Sequence, residues 1–73
     1  MEKLEKFIET RLGYARRNPA LADIFEHQAF GAAEFYATYA YQNGDTLLEM
    51  TIVNRWNDEW APQFKMLAMQ REV

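Results

Sequence analysis

The stretch Leu21–Tyr41, LADIFEHQAFGAAEFYATYAY, decides the fold of this 73-residue chain. It combines many Ala, Phe and Tyr residues with few charges, so a helix formed here is apolar on most of its sides. In so short a chain the remaining residues must wrap around such a helix. We therefore predict a single helical domain over residues 1–73, with this stretch as its long central helix.

The side chains that most catalytic and metal sites need are missing from the sequence. There is no Cys and no Ser, and there is a single His, which excludes Ser-His-Asp, Cys-His and thiolate or His-rich metal arrangements. The Gly residues are isolated, which excludes a glycine-rich phosphate loop. We expect a protein that is not an enzyme, has no cofactor and acts by contact.

Charge and hydropathy indicate the class of partner and the cellular compartment of the protein. Its net charge is −3, whereas dedicated nucleic-acid-binding domains are usually basic. The charges in residues 1–14 are unlike a signal peptide. The longest uncharged run, Phe35–Gly44, is about half of the roughly 20 residues that a membrane helix needs. We therefore predict a cytoplasmic protein without membrane association.

An amphipathic pattern and a proline define the N-terminal part of the chain. Glu2–Arg17 carries one apolar stripe with charged residues elsewhere, which predicts a helix. Arg11 lies inside that stripe, so we expect its stem to pack on the core with the guanidinium in water, or, as the alternative, a partly buried ion pair. Asn18 and Pro19 predict a very short connection, with Asn18 as the N-cap of the next helix.

The helix predicted over Leu21–Tyr41 has two apolar strips. Large side chains share one face, and a strip of alanines lies about a quarter-turn away, where another helix can approach closely. The strip consists of Ala22, Ala29, Ala33 and Ala40. We expect the first half of this helix to belong to the core. Phe30 and Tyr41 lie near its narrow polar strip, which is unusual for a monomer.

The dipeptide Asn43-Gly44 permits two interpretations. In the first, Gly44 ends the central helix and Thr46 caps another, with Glu49 completing a capping box. In the second, the dipeptide is the turn of a β-hairpin with aromatic and β-branched arms. We favour the first, because the Ala-rich run before it continues the helical pattern. The predicted fold is therefore an all-α bundle of three or four helices, with α+β as the alternative.

Beyond Thr46 an apolar residue recurs at every fourth position. The row consists of Leu48, Ile52, Trp56, Trp60 and Phe64. Pro62 interrupts it, so we expect either a kink or a break between Asn57 and Pro62, with Asp58 capping a new helix if the chain breaks.

The predicted helices have unequal lengths. At 1.5 Å per residue, the first reaches roughly 24 Å and the second roughly 35 Å, so the first covers only half of the second. An apolar end is left uncovered, and such patches mark interfaces. We predict a homodimer closed through this end, or docking on a protein partner. The candidate interface residues are Phe35, Tyr36, Tyr39, Tyr41, Leu47, Met50, Trp56 and Trp60, although for the two Trp residues we favour burial in the core over a partner-binding hot spot.

A small basic patch supports a second class of function. Arg11, Arg16 and Arg17 lie near the end of the first helix, where they also complement the helix dipole. If they contact phosphate, the chain is a nucleic-acid-associated accessory protein, which is our alternative prediction.

One side of the central helix carries groups that bind metals in other proteins. Asp23, His27 and Glu34 lie there, with Glu26 beside them. The paired Glu-x-x-His motifs of di-metal bundles are missing. We interpret these residues as a solvated polar strip and expect no metal site.

Two segments carry a resemblance to known proteins. They are QAFGAAEFY (Gln28–Tyr36) and WNDEWAPQF (Trp56–Phe64). Through them the last two thirds of the chain resembles small, functionally uncharacterised proteins of phages and mobile elements of Gram-positive bacteria. The resemblance implies a genomic context, and no chemical role for either segment comes with it.

Overall fold

The computed structural model describes residues 1–70, and nearly all of them are helical. The elements are α1 (Glu2–Arg17), a 3-10 turn (Pro19–Leu21), α2 (Ala22–Gln42), α3 (Thr46–Arg55), a π-helical segment (Trp56–Trp60) and α4 (Ala61–Gln70). No strand occurs within the described residues. The prediction of an all-α fold is confirmed, and the α+β alternative with a hairpin at Asn43-Gly44 is wrong.

The chain reverses at Gly44 through a helix C-cap. Gly44 has a φ of 75°, in the left-handed region that Gly adopts without strain. Its N–H donates to the Tyr41 carbonyl at 3.0 Å, and the Asp45 N–H donates to the Ala40 carbonyl at 2.8 Å. These two bonds form a Schellman motif, which satisfies carbonyls that the end of α2 leaves open. The turn therefore ends a helix instead of joining two strands.

Two of the predicted N-caps differ from the structure. Asp45, and not Thr46, caps α3: its side chain accepts a hydrogen bond from the Leu48 N–H at 3.1 Å, and Thr46 is already helical. At the other boundary Asn18 makes no side-chain cap, because the chain enters a 3-10 turn at Pro19 and α2 begins only at Ala22. In both places the helix starts one to three residues away from the expected position.

Helix α2 packs through its alanine strip. The side chains of Ala22 and Ala29 are fully buried, and those of Ala33, Ala37 and Ala40 are at most 9% exposed. The large side chains predicted on the neighbouring face are partly or mostly exposed, with Phe35 at 69%. A face of methyl groups lets the facing helices approach closely, whereas Phe and Tyr would hold them apart.

The apolar residues at every fourth position from Ile52 to Phe64 stay buried because the helix changes its pitch. An α-helix turns about 100° per residue, so such a row drifts about 40° at each step and about 160° from Leu48 to Phe64. The π segment places an extra residue in one turn and reverses this drift. Its i→i+5 bond joins the Ala61 N–H to the Trp56 carbonyl. As a result Ile52, Trp56, Trp60 and Phe64 are all buried.

Pro62 explains why the irregularity lies at this place. Pro has no N–H, and its ring clashes with the carbonyl four residues earlier in a regular α-helix, which here belongs to Asp58. A wider turn removes that clash. The predicted irregularity between Asn57 and Pro62 is present, but the chain does not break, and Asp58 lies inside the π segment instead of capping a new helix.

The helices form a long and narrow molecule. Its extents are 44 × 18 × 15 Å. Helix α2 packs against α1, α3 and α4, and α1 packs against α2 and α4. Because α1 is about 24 Å long and α2 about 32 Å, the last turns of α2 and the first turns of α3 extend beyond α1 as a two-helix tip.

We expect that enlarging the alanine face destabilises the fold. Ala29→Leu adds three carbon atoms where the Ala29 side chain is fully buried, and overpacking of this kind costs about 1–3 kcal/mol. Gly31→Ala is the matched control on the exposed side of α2, where an added Cβ meets no atom within 4 Å. It should stabilise the helix by up to about 1 kcal/mol. Urea unfolding followed by circular dichroism measures both, and an Ala29→Leu variant as stable as the wild type would contradict the packing described here.

Candidate interaction surfaces

The two Trp residues that stand among the candidate interface residues belong to the core, which is the interpretation that we favoured for them. Trp60 is fully buried and Trp56 is 8% exposed. The Trp56 ring contacts Phe30 and Phe64, with ring centroids 5.5 and 6.1 Å apart. The Arg55 guanidinium lies over the Trp60 ring at 4.3 Å. The candidate interface is therefore corrected by removing both Trp residues, because a chain of this size needs its largest side chains to fill its interior.

The other candidate interface residues lie on the two-helix tip or beside it. Phe35, Tyr39, Tyr41, Leu47 and Met50 are between 55% and 78% exposed. Tyr36 is partly buried against the core and contacts Phe35 edge to face, with ring centroids 6.1 Å apart.

These side chains divide between two sides of the tip. Phe25 contacts Tyr14 of α1, and Tyr36 lies about three turns further along the same side of α2. We define the tip surface as Phe35, Tyr36 and Tyr39, which lie on or beside the side of α2 that α1 covers lower down, together with the exposed Leu47 of α3. Tyr41 is two residues beyond Tyr39 and so faces about 200° away from it, on the side opposite α1.

A groove runs along α2 on the side opposite α1, with α3 and the π segment beside its upper part and the π segment and α4 beside its lower part. Its upper hollow has a volume of about 240 Å³. The Phe30–Trp56 ring pair separates this hollow from a lower one. The upper hollow is lined by Phe30, Ala33, Glu34, Ala37, Thr38, Glu49, Ile52, Val53, Trp56 and Asn57. The lower hollow is lined by Asp23, Glu26, His27, Phe30, Trp56 and Lys65. We call the two hollows together the groove.

The groove was not predicted as a site. Neither Phe30 nor Val53 belongs to the candidate interface, although both are more than 40% exposed. The only sequence signal was the position of Phe30 beside the polar strip of α2. The helical pattern of α2 does not show which side chains of α3 lie opposite, and that pairing creates the groove.

The structure separates the polar residues considered as metal ligands. Glu34 lies in the upper hollow, whereas Asp23, Glu26 and His27 line the lower one. Glu26 is paired with Lys65 at 3.5 Å. Across residues 1–70, no group of three His, Asp or Glu side chains is arranged to hold a metal ion.

The arginines of the basic patch make different contacts. Arg11 lies over the rings of Phe7 and Tyr14 at 4.4 and 5.5 Å, and Arg17 lies over Tyr14 at 5.3 Å. Arg16 donates a hydrogen bond to the Gln63 side chain at 3.0 Å. Arg11 makes no ion pair within the described residues, so the expected alternative of a buried pair is not found there. Nucleic-acid binding through this patch stays a prediction.

An ionic network joins α1 to the start of the π segment. Arg55 donates to Glu59 through Nε at 3.0 Å and through Nη2 at 3.2 Å, and it also donates to Glu5 of α1. The hydrogen bonds to Glu59 and then to Glu5 raise the pKa of Arg55, and the bonds from Arg55 lower the pKa of Glu59. The network thereby links the last residue of α3 and the π segment to α1.

The comparisons with known proteins do not assign the chain to a group. No family model, no curated protein and no solved structure matches it. The resemblance to phage and mobile-element proteins therefore stays a prediction. Among the described residues, no helix has the length and apolar character needed to span a membrane.

We expect the Glu59 pair to make stability depend on pH. A folded-state pKa below the unfolded one stabilises the protein above the ordinary Glu pKa of about 4.3, and this contribution is lost as the pH falls further. The Glu59 side chain is 46% exposed, and solvent screening limits such a pair to about 1 kcal/mol or less.

Urea unfolding at pH 7 and at low pH measures this contribution. Glu59→Gln should be less stable than the wild type at pH 7, and the difference should vanish at about pH 3. Glu9→Gln is the control, because Glu9 is exposed and makes no ion pair within residues 1–70. An equal loss of stability in both variants would exclude a specific role for the network.

Proposed function

We propose that the protein is a non-catalytic interaction or regulatory protein that works as a homodimer closed through the tip surface. One observation carries this proposal: α2 and α3 extend beyond α1, and large apolar side chains surround the uncovered part. In a chain of this size such residues are expected in the core, which here is filled by alanines, by the aliphatic side chains of α1 and by the row of every fourth residue from Ile52 to Phe64. A second copy of the chain would bury these apolar side chains.

The composition of the tip fits an interface. Phe35–Gly44 contains no charged residue, although Phe35 and Tyr39 of the tip surface are each more than 60% exposed. Centres of protein interfaces are enriched in aromatic residues and depleted of charges, whereas ordinary exposed helix faces carry Lys and Glu. Burial of these rings therefore costs no desolvated charge.

The geometry of the tip also fits a two-fold interface. If two copies pack with their tip surfaces against each other, α2 and α3 of both copies form a four-helix arrangement in which each copy supplies the same surface. A stable interface buries about 800 Å² per partner. That is about a sixth of the 5043 Å² surface of one chain.

The dimer is tested by light scattering coupled to size exclusion. The wild type should have twice the mass of one chain at high micromolar concentration. Tyr39→Lys should weaken the dimer roughly 30-fold or more, which is the effect of losing one central aromatic residue. Ile24→Lys is the matched control, because Ile24 is also exposed on α2 but lies at its other end.

Two results would contradict the proposal. The first is a wild-type monomer at high micromolar concentration, which would leave the tip for a partner of different sequence. The second is a dimer that Ile24→Lys weakens as strongly as Tyr39→Lys, which would place the interface elsewhere on α2. Circular dichroism of each variant confirms that the helices are intact.

A further inference from the structure

The groove has an apolar floor that is open to solvent. Phe30 and Val53 are 43% and 44% exposed, and one edge of Trp56 reaches the same hollow. The volume of about 240 Å³ is many times the roughly 10–15 Å³ that a single water molecule needs. The hollow therefore has room for a large apolar side chain, which would contact rings on one wall and Val53 on the other.

Acidic side chains stand on both walls of this hollow. Glu34 belongs to α2 and Glu49 to α3, and neither makes an ion pair within residues 1–70. The single Lys of the lower hollow, Lys65, is paired with Glu26. The groove is thus apolar at its floor and negatively charged at its rim.

We propose that the groove binds an amphipathic helix of a partner protein that carries Lys or Arg beside its apolar face. An apolar residue of that helix fills the upper hollow, and cations about one turn before and after it pair with Glu34 and Glu49. Docking of an amphipathic helix in a groove between two helices is a common mode of peptide recognition. The hollows follow α2 from Asp23 to Thr38, about 22 Å, which matches a partner helix of about 15 residues.

The charge of the rim decides between possible occupants. A second copy docked groove to groove would bring Glu34 and Glu49 against the same carboxylates, and like charges placed together oppose association. Phosphate groups of nucleic acids or lipids are repelled for the same reason. A basic helix is attracted, and its apolar residue covers Phe30 and Val53.

Three synthetic peptides of about 16 residues test the proposal. The first is an amphipathic helix with Leu on one face and Lys elsewhere, the second has every Lys replaced by Glu, and the third has every Leu replaced by Gln. Binding is followed by NMR through backbone amides and through the two indole N–H signals. We expect the Lys-Leu peptide to bind and to shift the signals of Phe30, Val53 and Trp56. Trp60, which does not line the groove, serves as the internal reference.

Matched variants separate this site from general charge attraction. The double variant Glu34→Gln, Glu49→Gln should weaken the Lys-Leu peptide about tenfold, as expected for two exposed ion pairs. Glu2→Gln with Glu9→Gln makes the same change of net charge on exposed positions of α1 and should leave binding unchanged. Tyr39→Lys, which removes the proposed dimer, should also leave binding unchanged, so the two proposals can fail separately.

Several outcomes would overturn the proposal. These are equal binding of the Lys and Glu peptides, equal binding of the peptide without Leu, equal weakening by both double variants, or shifts confined to the tip surface. Absence of any shift at 1 mM peptide, roughly the weakest affinity of interest at about −4 kcal/mol, would also reject the groove as a binding site for basic helices.

Discussion

Helix α2 packs against its neighbours through alanine side chains, and the other features of the molecule depend on this contact. Methyl groups let the helices on that side come close. The large buried side chains therefore belong to the facing helices: Leu4, Ile8 and Leu12 of α1, and Trp56, Trp60 and Phe64 after α3. The large side chains of α2 are then left for the outside of the molecule or for its edges. An aromatic-rich helix therefore contributes little aromatic mass to its own core.

The length of α1 determines whether the large outward side chains of α2 are covered or exposed. Beside α1, Phe25 is covered by contact with Tyr14, and Tyr36 packs partly on the core. Beyond α1, no third helix of the described residues covers Tyr39 or Leu47, and both remain exposed. The tip surface is thus a consequence of a short first helix joined to a long second one by a tight connection.

The π segment determines which side chains are buried on the other side of the core. Without an extra residue in one turn, the row from Leu48 to Phe64 would wind around its helix and lose contact with α2. Pro62 makes the wider turn favourable, because it cannot donate a hydrogen bond and clashes in a regular helix. The same turn presents one edge of Trp56 to the groove, which links the packing of the core to the proposed binding site.

Some residues of the candidate surfaces could be predicted from helix lengths, whereas others depend on how the helices pack. Phe35, Tyr39 and Leu47 could be predicted to be exposed from helix lengths alone, because no element was available to cover them. Trp56 and Trp60 could not be assigned to core or interface, since an apolar row every fourth residue fits both until the pitch of the helix is known. The groove between Glu34 and Glu49 required the register of α3 on α2, which depends on the turn at Gly44.

The sequence by itself determined the helical class, the reversal at Gly44, the irregularity near Pro62 and the unequal lengths of α1 and α2. These features depend on local preferences: hydrophobic period, the backbone freedom of Gly and the missing N–H of Pro. Only the tertiary structure decided which face of α2 is buried and which walls form the groove. These depend on how closely whole helices approach each other, and that distance is set by side chains distant in the chain.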